Sequence, residues 1–385
     1  MKKITAFIFL MILALCGCSD TTEMPQISSS DEIRAVWIFY SEISMINENG
    51  GTEKSFKEKI GKMLDDCKSI NVNNVFVQVR PFADSFYPSK VFPWSRYLTG
   101  EQGKAVDYDP LKIMVEQAHL RSIAIHAWLN PYRISLSGSV CDNHPAKKWI
   151  DEKSDNVIIT DSGTFFNPAS APATKLILDG IREIAENYDV DGIHIDDYFY
   201  MSQSEEIDKN DYEKYTSAGG RLSLDEWRRQ NINTFVSSMY NTVKAVNENL
   251  TVSVSPAGNV DNNYNTLYAD VKKWASEKGY CDWLIPQIYY GFESEKLPFE
   301  KAADEWKKLK KEKSVKLIAG LGAYRVLEEN EGEWVSEDII LRQIKYAEDA
   351  GYEGYSLFSY SSLFSEKFSE NLESMKSLSD SETQN

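Results

Sequence analysis

Eight short apolar runs, each followed by a stretch of helical periodicity, limit this chain more than any other feature. The runs fall at 33–39, 74–80, 122–130, 190–196, 251–255, 282–290, 315–321 and 354–359. The helical stretches fall at 56–70, 110–120, 174–188, 223–247, 268–278, 299–311, 336–350 and 365–377. In the first of these, Ile60, Met63, Leu64 and Cys67 share one face. A helix between two strands carries the chain back across the sheet, so the strands run parallel. Eight such units over about 350 residues predict an α/β fold, a (β/α)₈ TIM barrel with long loops after strands three and four. A doubly wound open sheet is the alternative, but no Gly-rich phosphate loop follows the first strand. The two long loops, 131–172 and 199–221, leave the carboxyl ends of their strands and should wall an active-site cleft. Their aromatic residues either form sugar platforms or pack the loops.

The N-terminus reads as a processing signal. Lys2 and Lys3 precede an apolar run over 4–15 that is too short to span a membrane. The run ends Leu15-Cys16-Gly17-Cys18, with Leu at −3 and Gly at −1 of Cys18, the spacing of a lipoprotein cleavage site. Cys16 is the poorer candidate, since bulky Leu15 would stand before it. The chain is therefore expected to divide into a lipoprotein signal peptide at 1–17, a flexible tether at 18–31, a barrel domain at 32–377 and a polar, frayed tail at 378–385. Lipidation of Cys18 would make it an exported protein anchored to a bacterial membrane and otherwise soluble, on the periplasmic or cell-surface face. An ordinary cleaved signal peptide is the alternative. The remaining cysteines, Cys67, Cys141 and Cys281, are odd in number and far apart, which fits neither a disulfide framework nor a metal site.

The net charge is −17, and loss of residues 1–17 with their two lysines takes it to −19. Such a chain should not bind nucleic acid, and its field favours a neutral substrate over a polyanion. We expect a monomer.

Side chains alternate along a strand, so each strand has one face for the helices and one for the barrel mouth. In 190–196, Ile193 and Ile195 face the helices while His194 and Asp196 face the mouth. Asp197 and Tyr198 follow at the rim, where this fold does its catalysis. The same reading turns Gln78 and Arg80 inward on strand two, with Asp84 in the next loop. On strand three it turns His126, Trp128 and Asn130 inward, with Arg133 just beyond. Strand six supplies Gln287 and Tyr289, with Glu293 past its end. Amides, His and Arg offer directional hydrogen bonds to hydroxyls, aromatic rings offer flat faces to pyranoses, and carboxylates offer acid–base or nucleophilic chemistry. The four histidines, His119, His126, His144 and His194, are too scattered for a metal cluster, and no cofactor is implied. Asp191 and Asp282 begin their strands and read as structural.

Several motifs in order resemble one family. They are Arg34-Ala-Val-Trp37, Gln78-Val-Arg-Pro81 with Asp84, Tyr87-Pro-Ser89, Pro93-Trp-Ser95, His126-Ala-Trp-Leu-Asn-Pro-Tyr-Arg133, Asp191-Gly-Ile-His-Ile-Asp-Asp-Tyr198 and Pro286-Gln-Ile-Tyr289. Together they look like the glycosyl-hydrolase-like 10 family of bacterial exported proteins and lipoproteins. The resemblance implies a TIM barrel with glycosidase activity, in some members on peptidoglycan glycan strands. The strand-four motif also looks like that of the α-amylase superfamily, which would put the nucleophile at Asp196. That superfamily's acid on strand five has no counterpart, because the strand ends in Ser255-Pro256.

The expectation is thus a glycoside hydrolase acting on a poly- or oligosaccharide. Asp196 would be nucleophile or general base, with Asp84, Asp197 or Glu293 as the second carboxylate. Arg80, His126, Trp128, Asn130, Arg133, His194, Tyr198, Gln287 and Tyr289 would bind substrate. A surface lipoprotein that binds glycan without cleaving it remains the alternative, and a metal-dependent deacetylase or hydrolase a third reading.

Overall fold

The computed structural model describes residues 32–382 apart from positions 330 and 337. The expected signal segment, Cys18 and the tether lie outside the described residues. The strands are β1 (Ile33–Ile38), β2 (Asn74–Arg80), β3 (Ala124–Leu129), β4 (Gly192–Ile195), β5 (Thr251–Val254), β6 (Trp283–Leu284), β7 (Lys316–Leu317 and Ala319–Leu321) and β8 (Gly354–Phe358). All pair in parallel, each with its neighbour in sequence, and β8 also with β1. The first half of β7 pairs with β6 and the second half with β8. The sheet therefore comes round on itself as a nearly closed TIM barrel. Ile318, between the two halves, still donates its N–H to Leu284 O at 3.0 Å.

Capping fixes where the outer helices begin. Thr52 and Ser55 cap Glu53–Lys68 reciprocally, and Ser223 and Glu226 do the same for Leu224–Val246. Asp109 and Ser170 cap Pro110–His119 and Ala171–Asn187, each with a proline in the first turn. Three elements depart from the sequence expectation. The helix expected at 268–278 is a single turn, Val271–Trp274, and a further short helix, Val260–Asn265, precedes it. Strand six stops at Leu284 because Pro286 has no N–H for a ladder, and only isolated bridges at Gln287 continue it. The last helix, Ser369–Glu382, continues past residue 377 into what was expected to be a frayed tail.

One device recurs at the amino ends of the strands. The side chain of the residue before each even-numbered strand, an amide before β2 and a carboxylate before β4, β6 and β8, accepts a backbone N–H from the preceding odd-numbered strand. Asn73 takes Arg34 N at 2.9 Å, Asp191 takes Ile125 N at 2.7 Å, Asp282 takes Val252 N at 2.8 Å and Glu353 takes Leu317 N at 2.9 Å. These bonds satisfy donors that the staggered edge of the barrel would leave unpaired. Asp191 also meets His119, and Asp282 meets Lys244. These acids fasten the amino-terminal face and have no part in the mouth.

The barrel is filled, not hollow. Trp37, Phe76, Trp128, Ile285 and Ile318 pack its interior. His126 and His194 lie in this packed layer against Phe76, at ring-centre distances of 5.0 and 4.3 Å. Gly192 makes room for His126, because a Cβ there would stand 2.3 Å from its ring. The loop after β3 folds into its own antiparallel sheet of Arg133–Ser135, Val157–Thr160 and Gly163–Phe166. The loop after β4 carries Lys209–Ser217 and is fastened by a fully buried Arg228–Asp208 ion pair at 2.6 Å. Most of the loop aromatics pack one another: Tyr212 and Tyr215 on Trp227, and Trp149 on Phe166.

Candidate active site

A cavity of about 680 Å³ opens at the carboxyl ends of the strands. Its walls are aromatic: Trp37, Phe39 and Tyr40 from β1 and its loop, Trp128 from β3, Tyr198 after β4, Tyr289 after β6, Tyr324 after β7 and Phe358 on β8. Gln78, Arg133, Ser255 and Gln287 supply polar groups. Asp196 and Asp197 are the only carboxylates that line it among the described residues. A second hollow of about 490 Å³ lies among residues of the outer helices Pro110–His119 and Ala171–Asn187, and no strand-end carboxylate reaches it.

Strand β4 ends at Ile195, and the turn beyond it brings both acids into the cavity. Phe199 N donates to Asp197 O at 3.0 Å, a tight turn that breaks the strict alternation. Asp196 is buried, and its Oδ2 accepts Nε1–H of Trp128 at 3.2 Å and Nδ2–H of Asn130 at 2.5 Å. Asp197 Oδ1 accepts from Gln287 Nε2 at 3.2 Å, and the same amide group donates to Ser255 O at 3.0 Å. Asn130 is positioned in turn by Gln78, whose Nε2 donates to Asn130 Oδ1 and whose Oε1 accepts Tyr40 N.

Burial pushes the Asp196 carboxyl up to about 7, and the adjacent Asp197 adds to the rise. Arg133 and the Asn130 hydrogen bond oppose it. Asp197 is also raised, chiefly by burial, with Gln287 and Arg133 among the groups pulling it down. A charge on one of two neighbouring buried carboxyls opposes ionisation of the other, so the pair loses its protons in separate steps. The Arg133 guanidinium lies 4.2 Å from the Tyr198 ring centre and 5.4 Å from that of Phe82, so two aromatic faces hold it against the acids. A cavity of this kind offers a proton donor, an ionised carboxylate and flat faces for sugar rings.

Comparison with known proteins agrees with this chemistry. The family model described as glycosyl hydrolase-like 10 matches residues 32–336. The chain belongs to that family. It is similar to glycosyl hydrolase YngK of Bacillus subtilis, at 34% identity over 89% of this chain and 70% of the relative. It is similar also to glycosyl hydrolase DigH of Escherichia coli K12, at 29% identity over 87% of each. Among solved structures, the PgaB (BpsB) glycoside hydrolase domain of Bordetella bronchiseptica superposes with a TM-score of 0.61 at 14% identity, covering 91% of this chain and 98% of that one. The family member described here is accordingly a glycosidase, and its substrate is a carbohydrate.

The residues singled out in the sequence divide into two groups. Trp128, Arg133, Asp196, Asp197, Tyr198, Gln287 and Tyr289 line the cavity, and Asn130 stands directly behind Asp196. The other group lies elsewhere. Arg80 does not face the mouth. The β2–β3 register shifts between Gln78 and Arg80, and this bulge turns Arg80 outward, 4.6 Å from the Phe92 ring centre and against Gly180. His194 lies under the cavity. Its Nε2 accepts Trp37 Nε1–H at 3.1 Å, which leaves Nδ1–H to donate to Ser253 Oγ at 2.8 Å. Burial keeps this ring neutral by holding its pKa well below the usual histidine range. His126 is deeper still, with Nε2 on Asn74 Oδ1 at 3.0 Å and its pKa lowered to about 4 by burial.

The other two candidate acids also lie outside. Asp84 is fully buried behind the cavity wall, and burial raises it to about 7 against the opposing pull of Ser95 and Gln102. Glu293 is exposed and does not line the cavity, and its backbone N–H is held by Glu333. Gln78, Phe39, Tyr40, Tyr324 and Phe358 were not singled out as binding residues. Gln78 had the right alternation on β2. The aromatics after β1, β7 and β8 carried only position as a signal.

Proposed function

We propose that this glycosidase cleaves a polysaccharide with Asp197 as general acid and Asp196 as nucleophile or general base. The observation that carries the proposal is the pair of neighbouring carboxyls in one aromatic-walled cavity. Trp128 and Asn130 both donate to Asp196, which favours its ionised form. Asp197 lines the same cavity and accepts one amide hydrogen bond, which supports it as the partner carboxyl. A non-catalytic glycan-binding protein would have no need of a second carboxyl beside Asp196. The family resemblance implies peptidoglycan glycan strands as the first substrate to try. The sequence around Cys18 supports export and lipid anchoring, and replacing Cys18 with Ser should release the protein from the membrane fraction.

The test is a screen of protein lacking residues 1–31 against peptidoglycan, peptide-free glycan strands and common polysaccharides, with products read by mass spectrometry. New reducing ends that vanish in both D196N and D197N support the assignment. Cleavage that survives either change at full rate rejects it.

A further inference from the structure

A smaller cavity of about 200 Å³ opens beside the main one, and the two share Tyr40 and Leu136 as walls. It is formed entirely by segments following β1, β2 and β3, so it lies on the same face as Asp196. Three rings make its apolar surface. Tyr40 lies 4.4 Å from Tyr97 and 5.3 Å from Phe82, and Phe82 and Tyr97 stack at 5.8 Å with 19° between their planes. Leu136 is 48% exposed at the shared rim, an apolar side chain left in water at the place a ring would cross.

Arg96 is the cation of this side cavity. Its one hydrogen bond to protein is a 3.3 Å contact from Nη2 to Ser139 O, and it forms no ion pair among the described residues. Arg228, by contrast, is fully buried on Asp208, and many lysines are matched one helical turn away. Asp84 is fully buried and does not line the cavity, although it is near enough for the Arg96 charge to favour its ionised form. Gln102 is fixed in place by accepting Cys141 N at 3.0 Å. A guanidinium with free donors, set beside stacked aromatic rings, matches a carboxylate carried on a sugar ring.

We propose that the side cavity is a second carbohydrate subsite that selects a sugar bearing a carboxylate, with Arg96 as the specificity residue. The proposal rests on the glycosidase reading of the main cavity and adds to it a preference among glycans. It also refines what net charge implies: the bulk surface repels polyanions, while this one position attracts a single carboxylate on a ring already held by aromatic contact.

The test uses peptide-free peptidoglycan strands, in which alternate sugars carry a lactyl carboxylate, and the same strands with that group reduced to an alcohol. Affinity for each is measured with the D196N protein, with and without R96Q or R96K. The proposal expects the carboxylated strand to bind roughly tenfold more tightly or better, from a charge-assisted hydrogen bond. R96Q should bring the ratio of the two affinities close to one, and R96K should restore part of it. A ratio near one in the Arg96 protein, or one that R96Q leaves unchanged, overturns the proposal. Cleavage of a neutral polysaccharide by wild type, without binding of either strand, overturns the subsite and leaves the glycosidase reading standing. Absence of cleavage on every glycan sinks both.

Discussion

Asn130 and Asp196 are joined by a 2.5 Å hydrogen bond across the β3–β4 pair, and both side chains are buried. Asn130 is itself oriented by Gln78, so the backbone of Tyr40, three strands and one carboxylate form a single chain of hydrogen bonds. This chain holds the charge on Asp196 and fixes its direction. Asn130→Ala removes one charge-assisted bond, which is worth about 1.5–3 kcal/mol. We predict a loss of roughly tenfold to a hundredfold in kcat with little change in KM, measured by steady-state kinetics on whichever glycan the enzyme cleaves.

Arg133 faces both acids and favours their ionised forms. In R133Q both carboxyls should hold their protons to higher pH. The bell-shaped dependence of kcat/KM on pH should therefore move upward, by roughly half a unit to one unit for the loss of a nearby charge. A fall in rate with no movement of either limb would show that Arg133 acts only by contacting substrate.

Asp84 offers a different test. Burial raises its folded pKa to about 7 from the ordinary 3.8, so the native state binds this proton more tightly than the unfolded chain. Wild-type stability should fall as pH rises from about 4 to about 7, because ionising a buried carboxyl costs free energy. Asp84→Asn escapes that cost. The stability advantage of D84N should widen by roughly 2–3 kcal/mol between pH 5 and pH 8, seen in urea unfolding at the two pH values. Since Asp84 lies outside the cavity, activity should stay within about threefold of wild type, the range of surface and remote substitutions. Loss of activity on the scale seen for an acid–base residue would return Asp84 to the catalytic pair.

His194 bridges β1, β4 and β5 through Trp37 and Ser253. His194→Ala leaves a cavity and two unpaired groups in the filled barrel, which should cost about 3–5 kcal/mol. Its folded pKa is depressed, so its contribution is present above the ordinary histidine pKa and is lost as pH falls below it. The stability gap between wild type and H194A should therefore narrow in acid, a trend that calorimetry can follow.

The barrel was legible in the sequence because a parallel βα unit writes its period twice, once in the strand and once in the amphipathic helix. Alternation likewise turned Trp128, Asp196 and Gln287 toward the mouth. It failed where the backbone leaves the ideal strand. A bulge at the end of β2 turned Arg80 to the outside, and a tight turn after β4 brought Asp197 in beside Asp196. Neither event has a residue-type signature. Alternation also gives no depth, so His126 and His194 read as mouth residues although they belong to the packed layer below. Phe39, Tyr324 and Phe358 reach the cavity from loops and strand ends whose course no periodicity describes. The missing acid on strand five was visible as Ser255-Pro256, and Asp197 was one of three candidates for the second carboxylate, but the sequence could not say which of the three shares the cavity with Asp196.

The central claim is that Asp196 and Asp197 act together as the catalytic pair. The most direct measurement is the rate of new reducing-end formation by wild type, D196N and D197N on a glycan that wild type cleaves, with circular dichroism to confirm that each variant folds. General acid–base residues contribute about 10²–10⁴ in rate, and the account predicts a loss of at least 10² for each variant. A folded D196N or D197N that retains more than half of the wild-type rate would contradict it.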